Sequence, residues 1–253
     1  MEMTERFYIE DPKLETKYRR FEKLGTELKL PVFKTFLEME VLDRDGKTIH
    51  AHKQRSHSWN RNAYNFLFSQ MAAYGLTGTN LFEAGAISLK WTNGNIYPNS
   101  SGWALNQVAG LDEGVNVNDR STNTGFLATA GATDKGIIVG TNNFPESFDG
   151  YVLGAPIGNG SGAGQMDYAQ SDLHSITYDA PTKTFTDTLI RYINNNSGAD
   201  IGVNEVALYG KVKFTSAGTG TIMFSRDLLA STVTVPNTGQ LKVTYTIQLA
   251  YPA

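Results

Sequence analysis

Gly158, Gly160, Gly162 and Gly164 alternate in the run Gly158-Asn159-Gly160-Ser161-Gly162-Ala163-Gly164. Such glycines let backbone N–H groups approach a phosphate, but that chemistry needs a strand before the run and a helix after it. The P-loop form also ends in Gly-Lys-Ser/Thr. Pro156 precedes this run and no Lys follows it closely, so a loop with close backbone approach is the better reading. His50 and His52 lie two apart on an expected strand and so share a face, which is how a metal site can begin. His57 is near, and Glu38 and Glu40 are the carboxylates that would complete the shell if they lay across the strand pair. Solvent-facing hairpin residues are the simpler account. Asp112, Glu113, Asn116, Asn118 and Asp119 supply hard oxygen ligands of the kind Ca²⁺ takes. Gly114 is misplaced for an EF-hand and no Glu closes a twelve-residue loop, so the acidic stretch reads as a solvated turn.

No Gly-x-Ser-x-Gly elbow is present, and most acidic residues of the later chain lie at turns. Paired catalytic carboxylates are therefore not expected there. Trp91, Tyr97 and Trp103 bracket a polar stretch and are a candidate glycan platform; the plainer reading is that their rings plug a loop base into the core. Taken together these residues predict a protein that is not an enzyme and carries no cofactor, with structural Ca²⁺ the one candidate ion.

The elements that hold these residues change character along the chain. Asp11 suits an N-cap and Pro12 the first helical position. Leu14, Tyr18 and Phe21 then form one apolar stripe, and Gly25 is placed to end the helix. So short a helix is marginal alone and must dock, on its own body or on a neighbour. Phe7, Tyr8 and Ile9 form an apolar tip ahead of it. Strands over 36–42 and 47–53 flank Asp43-Arg44-Asp45-Gly46, a hairpin signal. Ser56 or Ser58 is positioned to cap a second, buried helix over 58–74, whose stripe is Trp59, Ala63, Phe66, Leu67, Met71 and Tyr74.

Beyond Gly75 the spacing predicts strands at 86–91, 136–140, 175–178, 185–193, 203–212 and 220–225. Val233 and Val235 lead to the turn Pro236-Asn237-Thr238-Gly239. Leu241, Val243, Tyr245, Ile247 and Leu249 alternate with polar residues, as in a strand with one buried face. Residues 97–135 read as a polar excursion with a short hairpin near 115–117. No βαβ alternation is seen, so a parallel nucleotide-binding sheet is not expected. The predicted class is mainly β: an antiparallel β-sandwich or jelly-roll-like body at 31–253, with an N-terminal helical arm at 1–30 and one further buried helix.

Composition narrows the function classes. The 253 residues hold 22 Lys+Arg and 25 Asp+Glu, a net charge of −3, too mild for a nonspecific nucleic-acid coat. There is no Cys, so no disulfide framework, Cys-ligated zinc or Cys nucleophile. No apolar run approaches the roughly 18 residues of a membrane span. The charged start, Met1 to Arg6, shows no secretory signal, so synthesis in the cytoplasm is expected and the sequons at Asn99, Asn159 and Asn195 carry little weight. Residues 1–61 hold 13 Lys/Arg and 11 Asp/Glu, and the remaining 192 residues 9 and 14, so half the charge sits in the first quarter.

Five phrases stand in order along the chain: the Asp45-Gly46 hairpin followed by Ser56-His57-Ser58-Trp59-Asn60-Arg61-Asn62; Gly136-Ile137-Ile138-Val139-Gly140-Thr141; Val203-Asn204-Glu205-Val206-Ala207-Leu208-Tyr209; Arg226-Asp227-Leu228-Leu229; and Val233-Thr234-Val235-Pro236 leading to Val243-Thr244-Tyr245-Thr246-Ile247. In these phrases the chain resembles a family of tailed-bacteriophage virion proteins found among head and tail structural proteins. Their order carries the resemblance, which spans about residue 36 to the end and leaves out 1–30 and 97–135. It implies a structural virion component, whether capsid decoration, connector, tail or fibre attachment, made in the host cytoplasm and located in the virion.

A subunit of this kind works through other virion proteins and through copies of itself, without nucleic acid or membrane. Phe7, Tyr8, Leu14, Tyr18 and Phe21 are the expected subunit contacts, since ordering an arm needs a partner to bury its stripe. Arg226 and Asp227 are expected to be a structural pair closing a strand end, and Glu205 a half-buried charge that needs a donor, either Arg191 or Arg226. A glycan-binding sandwich for host-surface recognition, with Trp91, Tyr97 and Trp103 as platform, is the alternative.

Overall fold

The structure is a computed structural model and describes residues 7–9, 12–71, 88–98, 125–214 and 218–251. In chain order these form β1 (Phe7–Ile9), α1 (Pro12–Glu27), β2 (Val32–Leu42), β3 (Thr48–Arg55), α2 (Arg61–Met71), β4 (Ser88–Lys90), β5 (Ile96–Pro98), β6 (Gly136–Gly140), β7 (Asp167–Ser171), β8 (Ser175–Asp179), β9 (Thr184–Asn194), β10 (Ile201–Phe214), β11 (Gly218–Val235) and β12 (Gln240–Ala250). The protein is mainly β with antiparallel sheets, an N-terminal helix and one further helix, the expected class. The chain divides into two compact units, one of 1–57, 160–202 and 233–253, the other of 58–159 and 203–232. The expected arm at 1–30 belongs to the first unit, and 31–253 is shared between the two.

The first unit is built on a seven-stranded sheet in the order β1-β3-β2-β12-β9-β7, with β8 also paired to β9. The β2–β3 hairpin closes at the expected turn: Asp43 Oδ1 accepts from the N–H groups of Asp45 and Lys47, and Gly46 takes φ 79°. That left-handed geometry is the one a side chain resists. β12 is central, pairing β2 along one side and β9 along the other. Paired residues share a face, so the registers define rows across the sheet. Val41–Leu241–Ile193, Met39–Val243–Arg191 and Leu37–Tyr245–Leu189 are three buried rows. The turn after β9 is organised by Asn195, which is buried; its Nδ2 donates to the carbonyls of Ala199 and Val235 at 2.8 Å. Both amide hydrogens are thus used within the turn.

Gly25 does not end α1. It lies inside the helix and is buried against Val32 of β2, where an added methyl would collide with the Val32 side chain. The helix stops two residues later, at Glu27. Leu30 N–H donates to Gly25 O at 2.8 Å, Lys29 N–H to Thr26 O at 3.2 Å, and Lys29 takes φ 56°. This is a Schellman cap with lysine rather than glycine at the left-handed position. Asp11, expected as the N-cap, lies outside the described residues.

In the second unit β11-β10-β6 form a three-stranded sheet and β4-β5 a two-stranded one. α2 starts at Arg61 rather than near Ser58. The cap is Asn60, whose Oδ1 accepts from Ala63 N–H at 3.3 Å, the third residue of the helix. Asn62 then pairs with β4 as a strand residue would, donating to Lys90 O at 2.8 Å and accepting from Lys90 N–H at 2.9 Å. Ala63, Leu89, Val212, Ile222 and Phe224 form the core there, with Trp59, Phe66, Trp91 and Phe126 packed against it. The helix is not buried all round, because Tyr64, Leu67 and Phe68 are exposed. Its expected end near Tyr74 and Gly75, and residues 99–124 of the polar excursion with the hairpin near 115–117, lie outside the described residues. Residues 125–135 are folded: Gly125 bridges Lys211, and Asp134 receives Lys211 Nζ at 2.6 Å.

Candidate functional site

The glycine run spends its polar groups on itself. Gly162 N–H donates to Gln165 Oε1 at 3.1 Å, Gln165 N–H returns to Gly162 O at 2.9 Å, and strand β7 follows rather than a helix. It is a tight turn around Gln165. His50 and His52 do share a face, but His52 sits opposite Met39 and His50 opposite Val41, on the buried side of the sheet. Glu38 and Glu40 sit opposite Lys53 and Ala51, on the other side, so they cannot complete a shell with the two imidazoles. Glu38 instead pairs with Lys53. His52 Nε2 lies 2.8 Å from Gln54 Oε1, and burial pushes its pKa below the ordinary 6.5. The candidate Ca²⁺ ligands at 112–119 lie outside the described residues, as does Trp103. Tyr97 falls in β5, and its side chain is not described. Trp91 is packed over Gly220 and against the core of the second unit.

The charge expected at Glu205 has its donor in Arg226, not Arg191. Arg226 Nε donates to Glu205 Oε2 at 2.6 Å, and its two terminal nitrogens donate to the carbonyls of Phe144 and Pro145. Glu205 has 0% exposure and also accepts from the backbone of Gly154 and Ala155. One ion pair on adjacent strands thus fastens both ends of the 141–155 loop. Arg191 is buried elsewhere, donating to Ala169 O at 3.0 Å and lying 4.8 Å from the Tyr168 ring. Arg226 and Asp227, expected as a pair closing a strand end, lie inside β11, and the carboxylate that Arg226 meets is that of Glu205.

The N-terminal helix is tied to its own sheet by charge. Arg55 of β3 donates to both carboxylate oxygens of Glu15 at 3.1 Å and to Glu22 at 2.7 Å, and Lys34 reaches Glu22 at 3.1 Å. The guanidinium also lies over Tyr18 and Phe36, at 4.9 and 4.8 Å. Hydrogen bonds from Arg55 hold the Glu15 carboxyl below its ordinary range; burial opposes them. At Glu22 burial is the largest influence and acts upward, yet Arg55 and Lys34 together outweigh it.

Of the five expected contact residues, Leu14 and Tyr18 are half-buried and Phe21 is open. The side chains of Phe7 and Tyr8 are not described, although their backbone pairs with Ala51 and His52. Phe21 also opens a second stripe, with Leu24 in α1 and Leu28 in the turn just past it, at i, i+3 and i+7; the three are 48–60% exposed. The signal in the sequence is the same helical spacing, which the expected end at Gly25 cuts off before Leu28.

A second apolar surface lies on the sheet of the first unit. The registers align Phe33, Leu249, Phe185 and Tyr178 in one row across β2, β12, β9 and β8. It lies on the same face as the three buried rows, yet its residues are 47–56% exposed. Sequence alone could place each residue in a strand; it could not set the register that brings four of them together.

Comparison of the chain with protein-family models, curated proteins and solved structures gives no match.

Proposed function

We propose that this chain is a structural subunit of a tailed-phage virion and works by gripping a neighbouring virion protein with α1. One observation carries the reading: Phe21 and Leu24 of α1 and Leu28 of its capping turn form an open apolar stripe beside a flank fixed by Glu15, Glu22 and Arg55. The charged ties hold the stripe in one orientation before any partner arrives, which lowers the entropy lost on docking. The order of the virion-like phrases along the chain supports the same reading.

The test is fractionation of particles from a lysed culture producing the tagged full chain. The wild-type chain is expected to sediment with the particles, and the Phe21→Lys/Leu24→Lys/Leu28→Lys variant to stay in the soluble fraction with an unchanged circular dichroism spectrum. A wild-type chain missing from the particles, or a variant that enters them normally, overturns the reading.

A further inference from the structure

We infer that the row Phe33–Leu249–Phe185–Tyr178 is a self-docking strip, covered by the same strip of a second copy of this chain. The inference uses a different surface from the helix stripe and stands apart from the virion reading. Three buried rows on this face show what the sheet does with apolar side chains where it can cover them. The neighbouring row, Thr35–Ile247–Asp187–Ile176, adds Ile176 at 58% exposure. Tyr178 and Phe185 already pack ring against ring at 4.6 Å, so part of the surface is ordered in advance.

Two features select a second copy as the occupant. The first is charge. The one ionised group in these two rows, Asp187, is met by His174 Nδ1 at 3.0 Å. A row of like charges would repel its own copy, whereas these two rows carry one carboxylate, and it is hydrogen-bonded within its own chain. The second is area. Five large side chains, each about half exposed, offer roughly 500 Å² of surface. Two such strips would bury about 1,000 Å² together, the lower bound of a specific interface. A flat strip meeting itself about a two-fold axis is the isologous geometry most soluble dimers use.

The test uses the full-length protein with opposite charges placed at the centre of the strip. Sedimentation of the wild type should show a reversible monomer–dimer equilibrium. Leu249→Glu and Leu249→Lys should each weaken it by about 30-fold, as for a hot-spot residue. Mixing the two variants should restore a mixed dimer, because only a strip facing its own copy brings the two charges together. Thr246→Glu, on the opposite face of β12, should leave dimerisation unchanged, and urea midpoints of all variants should confirm folding. A wild type that stays monomeric at every concentration overturns the inference; the strip then belongs to another protein or to this chain's own undescribed residues. So does a dimer that survives both Leu249 variants, or a mixture that stays monomeric. Particle fractionation of the helix variant is scored separately, so failure of one reading leaves the other intact.

Discussion

At the scale of single residues, the clearest dependence is that of Glu205 on Arg226. Glu205 has no solvent to turn to, and removing its partner leaves an uncompensated charge in the interior. Arg226→Met should therefore destabilise by about 3–5 kcal/mol in urea unfolding, well above the effect of a surface ion pair. Gly25 gives a prediction of opposite sign from the usual rule. Gly→Ala inside a helix normally stabilises by about 0.5–1 kcal/mol. Here the new methyl meets Val32, so Gly25→Ala should destabilise by about 1–3 kcal/mol, and adding Val32→Ala should recover part of the loss. Both residues mark a limit of what the sequence could show. Glycine near a helix end is ambiguous between a cap and a close approach, and only the position of β2 decides. Glu205 could be read as needing a donor because it sits in an apolar strand, but the choice between Arg191 and Arg226 depends on strand pairing.

At the scale of elements, local chemistry was the better guide. Asp43-Arg44-Asp45-Gly46 specifies a tight turn through its own side chain and a left-handed glycine, and the hairpin forms where that chemistry places it. Gly136–Gly140, 184–194 and 240–250 are strands because their alternation or apolar content leaves little choice. The α1 helix was legible as a helix and its contacts were not, because an Arg on a strand 33 and 40 residues away selects which flank turns inward. The substitutions at Phe21, Leu24 and Leu28 test this level. They should change stability by less than about 0.5 kcal/mol, as exposed positions do, while abolishing attachment to particles.

At the scale of the whole molecule, the mainly β class was legible from turn spacing, and the division into two units was not. Each unit is assembled from segments far apart in the chain; the charge change near residue 61 falls close to the first boundary at 57/58, but nothing in composition marks those at 159/160, 202/203 and 232/233. Three groups of the first unit contribute to the response to acid. His52 is held neutral by burial, so below about pH 6.5 the unfolded chain binds a proton there that the folded chain refuses. Stability contributed by His52 is complete above that pH and is lost as pH falls toward the depressed folded value. Glu15 and Glu22 have folded pKa values below the ordinary 4.5, so their contribution is present above that pH and is lost as pH falls through the lowered values. Urea midpoints measured from pH 7.5 downward should decline in these two stages. His52→Gln should flatten the first and leave the second; an unchanged first stage would assign it elsewhere.

The position of β12 bears on how the chain can be made. A ribosome finishes every other strand of the large sheet before this one, yet it is the strand on which both halves close. Until residue 240 and its successors emerge, β2 and β9 are bare rims with Leu37, Met39, Leu189 and Ile193 lacking the neighbours that β12 supplies. A nascent chain halted before that point would therefore present two sticky fragments to the cell's chaperones and proteases, and a nonsense codon just ahead of β12 would be as damaging to this sheet as one near its first strand.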